Sequence, residues 1–333
     1  MDAFASTKRA ILDLNFTPIY FLMGDEPFFI DQLSQLLIET VLPEEQRDFN
    51  QTILYGKETS IEDIISVCKR FPMMSDHQLV VVREAHDLSR SIEKLEAYAA
   101  QPQTTTILVI CYKNKKLDKR KKLYKAISKN GIIVETKKLY DDKLPAWIEQ
   151  RVREQQRKID FKAAAVLAES VGADLGTLHN QINKLCLIVT QGESINADHI
   201  EQHVGISKEY NNFELRKALG NGHTAKAYKI VHFFGRHPRQ HPLLVTIRSL
   251  HNYFVQLLTY HGLPSKNPDA VAKALGIHPF FVREIEQAAM RYPFKSIVPI
   301  LGRIKKADLA VKGVDAVPTP EGEVLQELLS HIA

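Results

Sequence analysis

The chain has 333 residues, enough for two or three domains with a core each. Its composition, 44% hydrophobic and 25% charged, is that of an ordinary globular protein, and apolar runs such as "ILVICY" fall far short of the ~20 residues that a membrane span needs. A net charge of +5 is compatible with nucleic acid or an acidic partner but selects neither.

In chain order, "PIYFLM" (18–23) is a short apolar run bounded by Pro18 and Gly24 and predicts a buried strand. "FIDQLSQLLIETVL" carries apolar residues at three and four spacing and predicts an amphipathic helix. "QTILY" is a second strand. Ser60 caps a helix over "IEDIISVCKR", with Asp63 completing a capping-box pair. "QLVVV" is a third strand, "SIEKLEAYAA" a helix, and "TTTILVICY" a fourth strand rich in β-branched residues. A helix over "KRKKLYKAISK" ends at Asn130-Gly131, read as a C-cap, before a fifth strand "IIVET". Apolar strands separated by helices call for a parallel sheet covered on both faces.

Past Asp141 the pattern is helix after helix, without a convincing strand. "KLPAWIEQRVREQQ", "DFKAAAVLAESVG" (Asp160 as N-cap, Gly172 as stop), "DLGTLHNQINKLCLIVTQG" and "NADHIEQHVG" come first. A last helical block follows, broken at Gly220–Gly222, Pro238–Pro242, Gly262–Pro268 and Pro318–Pro320. Three domains are expected: an α/β domain over 1–140, a small helical lid-like domain over 141–209, and a C-terminal helical domain over 210–333.

Cys68, Cys111 and Cys186 are dispersed, with no C-x-x-C pair, so a disulfide framework or structural zinc site is not expected and a reducing cytosol is. The stretch "AILDLNF" after Lys8-Arg9 is too short, and interrupted by Asp13, to read as a signal sequence.

An α/β domain followed by a helical bundle is the layout of an AAA+ module, whose nucleotide-binding parts can be checked by position. After the first strand stands Gly24-Asp25-Glu26-Pro27-Phe28-Phe29-Ile30: one glycine, no lysine, two carboxylates that repel a triphosphate, and a proline that removes an N–H donor. At the end of the third strand, "LVVVREAHDL" has Glu84 in place but Arg83 where a metal-binding aspartate is required. In the helical region, "GADLGTL" puts Gly176 at the usual sensor arginine position. Either the fold is AAA+ without ATP hydrolysis, or it is another α/β class and "REAH" is a chance likeness.

Across nearly its whole length the sequence resembles the delta subunit of the bacterial DNA polymerase III clamp loader. The resemblance is carried by "PIYFLMGDEPFFIDQ", "FPMMSDHQLVVVREAHDL", "LDKRKKLYKAI", "LPAWI", "VGADLGTLHNQINKL", "NNFELRKALGNGHTAKAYKI", "VAKALGIHPFFVREIEQAAMRY" and "ADLAVKG", in that order. It implies an AAA+-like domain without nucleotide chemistry, a small helical domain and a collar domain. It also implies a function: binding and opening the sliding clamp (the beta subunit) for loading on primed DNA, with no catalytic residues, cofactor or metal in this chain. The implied partners are the ATP-hydrolysing gamma/tau subunits, delta-prime, and primer–template DNA within the assembled complex. The implied location is the cytoplasm, at the nucleoid through the replisome.

In that family, apolar side chains just before the third strand form a wedge that enters a clamp pocket. Here the matching residues are Phe71, Pro72, Met73 and Met74, between Lys69-Arg70 and Ser75-Asp76-His77. Methionine is flexible and polarisable and suits a pocket-filling contact. The alternative is that these residues pack under their own sheet. The chain departs from the commoner Leu-Phe wedge, and Phe71 is left to supply the aromatic part.

The densest charge is "KNKKLDKRKK", with Lys115, Lys116, Lys119, Arg120, Lys121 and Lys122 beside Lys113. It reads as an electrostatic contact for DNA or for the clamp, or as a solvated helix start. The segment 270–289 has helix-turn-helix spacing, with Gly276 at the turn and Pro279 opening the second helix. It supports the alternative of a sequence-specific DNA-binding regulator, although Phe280 and Phe281 stand where base-reading groups belong and favour core packing. Delta-prime is a further alternative, but its zinc-binding cysteines and Ser-Arg-Cys motif are missing. His237 and His241 sit near prolines, with no carboxylate or cysteine to complete a metal site.

Overall fold

The computed structural model describes residues 3–314 and 319–333. Its contacts divide the chain into two compact units, Met1–Leu139 and Tyr140–Ala333.

The first unit runs α1 (Ala3–Leu12), β1 (Ile19–Gly24), α2 (Pro27–Thr40), α3 (Glu44–Asn50), β2 (Gln51–Tyr55), α4 (Ile61–Cys68) and β3 (Gln78–Arg83). It continues with α5 (Glu96–Ala100), β4 (Thr106–Lys113), α6 (Lys122–Asn130) and β5 (Ile132–Thr136). The five strands form one parallel sheet in the order β2-β3-β4-β1-β5. Alternation divides its apolar residues between two cores. Phe21, Met23, Val80, Val82, Leu108 and Ile110 face α4 and α6, while Tyr20, Leu22, Leu79, Val81, Ile107 and Val109 face α1 and α2. Burial on both faces is why the central strands read as unbroken apolar runs. This is the parallel α/β sheet, covered by helices on both faces, that the sequence led us to expect.

Because every strand runs the same way, the sheet has one edge of strand starts and one of strand ends. The segment 71–77 lies at the starting edge, before β3; the loop after β1 and the basic segment after β4 lie at the other.

Three local expectations change. Residues 91–100 form a 3-10 turn (Ile92–Leu95) and then the short α5, not one helix. Helix α6 starts only at Lys122, after Asp118 has turned back to bond the Arg120 backbone and guanidinium. Gly131 follows α6 in extended conformation (φ −163°), so it is not a left-handed C-cap. Glycine is required there because a Cβ would lie 2.4 Å from the carbonyl oxygen of Ile19. Helices α1 and α3 were not anticipated.

The second unit begins with α7 (Leu144–Glu154), β6 (Lys158–Ile159), α8 (Phe161–Val171), α9 (Leu175–Ile188), β7 (Ser194–Ile195) and α10 (Ala197–Val204). It goes on with α11 (Asn212–Gly220), α12 (Thr224–Arg236), α13 (Leu243–Gly262), α14 (Pro268–Leu275), α15 (Val282–Arg291), α16 (Phe294–Val311) and α17 (Glu321–Ser330). The sequence suggested no strand here, yet β6 and β7 pair in parallel over two residues each, too few to leave a periodic signal. Asp160 caps α8 by position only, since its carboxylate accepts from the Ser194 hydroxyl (2.5 Å) instead of from the helix. The long α13 supplies Leu250, Phe254 and Leu257 to a core shared with α11, α12, α15, α16 and α17. Pro320 precedes α17; Pro318, read as part of the same break, lies outside the described residues.

One charge cluster ties α8, α11 and α12 together. The Glu214 carboxylate is buried and accepts from Lys162 (2.7 Å) and Lys226 (2.6 Å). Burial works against its ionisation, but the two ammonium groups outweigh it and hold the carboxyl below its ordinary range. A depressed native pKa means the contribution is complete above the unfolded value of ~4.3 and fades as pH falls through the native one. Glu214→Gln should therefore cost about 1–2 kcal/mol at pH 7, at the low end because both lysines are more than one-third exposed. The gap to the wild type should narrow in urea unfolding curves at pH 4.

Candidate functional site

The connection from α4 to β3 is held at its base by buried polar groups. The Gln78 amide donates to the Arg70 carbonyl (2.5 Å) and to the Thr106 hydroxyl (2.7 Å), and that hydroxyl donates to the Cys68 carbonyl (2.8 Å). The end of α4 is thereby fixed to β3 and β4. Further along, the Asn50 side chain pairs with the backbone of Met73. Its Oδ1 accepts from the Met73 N–H (2.7 Å), and its Nδ2 donates to the Met73 carbonyl (2.9 Å).

Between these anchors the apolar residues face outward: Phe71 is 77% exposed, Met73 62% and Met74 98%, with Pro72 half-buried. They do not pack under the sheet. Met74 also has φ +51°, a left-handed conformation costing a non-glycine residue about 1–2 kcal/mol. Clustered exposed apolar side chains are a feature of interaction surfaces. The sequence reading omitted Phe49, which is 72% exposed on α3 directly before Asn50. Its one signal was a lone aromatic in the polar helix "EEQRDFN".

At the opposite edge of the sheet, the place of a phosphate loop is filled by the protein itself. Glu26 caps α2, its carboxylate accepting from the Phe28 N–H (3.2 Å), and Pro27 opens the helix without an N–H. Thr136 on β5 closes the loop: its hydroxyl accepts from the Glu26 N–H (3.3 Å) and donates to the Glu26 carbonyl (3.0 Å). A carboxylate thus occupies the helix N-terminus that would attract an anion. Position 83 carries a guanidinium, and Glu84 lies in a left-handed turn (φ +51°).

The basic segment closes over this edge. Lys116 bridges Asp25 (2.7 Å) and Glu135 (3.3 Å), Lys119 reaches Glu135 (3.4 Å), and Lys113 pairs with Asp31 (2.6 Å). Lys115 donates to the His86 carbonyl and the Ser89 hydroxyl, and Arg120 is paired with Asp118. These bonds raise the Lys116 pKa, the Asp25 hydrogen bond most strongly. Lys121 and Lys122 are exposed. The cluster that reads in sequence as a free cationic run is thus largely matched by carboxylates of its own domain.

The segment 270–289 folds as α14, a left-handed Gly276 (φ +64°), a 3-10 turn at Pro279–Phe281 and α15. Phe281 packs against Phe161 and Phe213, as core packing requires, but Phe280 is exposed. A cleft of about 980 Å³ lies in the second unit beside these rings, crossed by the Arg216–Glu169 ion pair (2.6 Å). It contains no residue of the 71–74 loop. His237 bonds the Phe233 carbonyl and His241 stacks on Phe234; among the described residues no group of three or more His, Cys, Asp or Glu is placed to hold a metal ion.

A family model described as "DNA polymerase III, delta subunit" matches residues 20–137, the sheet and both edges just described. The DNA polymerase III subunit delta of Bacillus subtilis (strain 168) is 24% identical over 304 residues, covering 89% of this chain and 88% of that one. A solved structure of the Bacillus subtilis DNA clamp loader delta protein shares the fold at a TM-score of 0.56, with 23% identity and 99% of each chain covered. The family match over residues 20–137 and the relative spanning most of both chains make this chain similar to the DNA polymerase III delta subunit.

Proposed function

We propose that the chain is the clamp-binding subunit of a clamp loader and acts by binding, not by bond-making. The apolar loop Phe71–Met74 enters a pocket on the sliding clamp and favours an open or strained ring interface. A ligand shifts an equilibrium only by its differential affinity for the two states, so the chain must bind the open ring better than the closed one. The observation that carries this reading is the ordered, outward-facing set Phe71, Met73 and Met74 in a chain similar to the delta subunit.

In this reading the first domain (1–140) binds the clamp, residues 141–209 serve as the lid and 210–333 as the collar that joins gamma/tau and delta-prime around primer–template DNA in the cytoplasm. The chain hydrolyses no ATP. Glu26 and Pro27 at the α2 N-terminus and the Lys116 bridge support that part. Loading energy then comes from neighbouring subunits. Of the cationic residues, Lys121 and Lys122 are the better candidates for a DNA or clamp contact, because Lys115, Lys116, Lys119 and Arg120 have partners in their own chain.

The test is titration of the purified protein against the sliding clamp of the same organism, without nucleotide. Binding at or below micromolar concentration is expected; its absence would sink the proposal. Millimolar ATP with Mg²⁺ should leave the melting temperature unchanged, since a ligand that does not bind the native state cannot stabilise it. A rise of several degrees would refute the non-nucleotide reading.

A further inference from the structure

We infer that Asn50 is a positioning residue that holds Phe71, Met73 and Met74 in their clamp-binding arrangement; the inference rests on the clamp-binding reading above. A carboxamide presents one donor and one acceptor side by side, as a peptide group does, and can pair with the N–H and C=O of a single residue. Asn50 does this to Met73 across 23 residues of chain. Its side chain is 4% exposed, with Nδ2 also donating to the Gln46 carbonyl (3.2 Å), so it has little freedom to turn away.

The clip is itself anchored. The Arg47 guanidinium donates to the Leu42 carbonyl (3.2 Å) and the Glu39 carbonyl (3.0 Å), fixing α3 to the end of α2. The chain of support runs from α2 through Arg47 and Asn50 to Met73. Beyond Met73 the backbone is left-handed at Met74, a conformation an unrestrained methionine abandons. The two hydrogen bonds to the preceding residue restrain it. Without them the loop samples other conformations, and apparent affinity falls by the fraction of molecules that remain competent. Asn50 itself need not touch the clamp.

The test uses the full chain with Asn50→Ala and Asn50→Asp. The aspartate keeps the size and the acceptor for the Met73 N–H but turns a carboxylate oxygen toward the Met73 carbonyl, so it breaks that half of the clip without opening a cavity should the alanine variant misfold. In Asn50→Ala, hydrogen exchange at the Met73 amide, whose N–H bonds Asn50, is expected to speed up at least tenfold while the central strands keep their protection, and clamp affinity to fall about tenfold.

The decisive comparison adds each Asn50 substitution to Met73→Ala/Met74→Ala. A positioning residue acts through the side chains it presents, so the combined variant should lose little beyond the double methionine variant. Full additivity would overturn the inference, as would unchanged affinity in both Asn50 variants or unchanged exchange at the Met73 amide in Asn50→Ala. If Met73→Ala/Met74→Ala binds like the wild type, the contact surface lies elsewhere and the reading of Phe71–Met74 as the clamp-binding loop has failed. If that variant is weakened and the Asn50 variants are not, the positioning role alone has failed.

Discussion

Met73→Ala/Met74→Ala is expected to weaken binding to the sliding clamp at least tenfold and to leave folding stability almost unchanged. Both side chains are more than half exposed in the free chain, so removing them leaves no cavity in the core. Unfolding in urea should shift by less than ~0.5 kcal/mol. In the complex the balance reverses. Fully burying a methionine side chain is worth about 1.5–3 kcal/mol, and a few central apolar anchors carry most of an interface's energy. A loss of only ~1.4 kcal/mol already gives a factor of ten. Phe71→Ala, carrying the largest ring of the loop, should add to the loss, whereas Lys121→Ala should show mainly a salt-dependent change. Equal clamp affinity for the wild type and the double variant would place the contact surface elsewhere.

The largest expected effect on stability is at Gly24. In sequence it is the single glycine after the first strand, where a phosphate loop would need more. In the fold it has φ +128°, a region closed to residues with a side chain. An added Cβ would lie 2.1 Å from the Thr136 carbonyl oxygen and 2.7 Å from its backbone nitrogen. Neither atom can yield without separating β1 from β5, which pair through Gly24 and Thr136. Gly24→Ala is therefore expected to cost about 3 kcal/mol or more, combining backbone strain with a lost strand end. Thermal unfolding followed by circular dichroism checks this: a midpoint within a degree or two of the wild type would show that Gly24 is not structurally required.

The β strands were legible because their burial is two-sided: β1, β3 and β4 are apolar at nearly every position and bounded by turn residues. The capping box at Ser60 and Asp63 was legible because both partners lie within one helical turn. Asn196 and His199 form a second capping box that was missed, since histidine is an unusual third-position partner. The apolar loop 71–74 could be singled out by composition, but its alternative, packing under the sheet, could be rejected only by observed exposure.

What the sequence by itself determined about this protein is part of its local chemistry: the five strands of the large sheet, the capping box at Ser60 and Asp63, and which residues a nucleotide site would have needed and lacks. These follow from spacing within one or two turns of chain. Tertiary structure alone decided which distant groups meet. Lys113 finds Asp31 across 82 residues, Glu26 finds Thr136 across 110, and Asn50 finds Met73 across 23. A charge or an amide carries no mark of its partner in the linear sequence. Only the strand order, which puts β1 between β4 and β5, turns a basic run into a closure over the strand ends and leaves the methionine loop held open at the other edge.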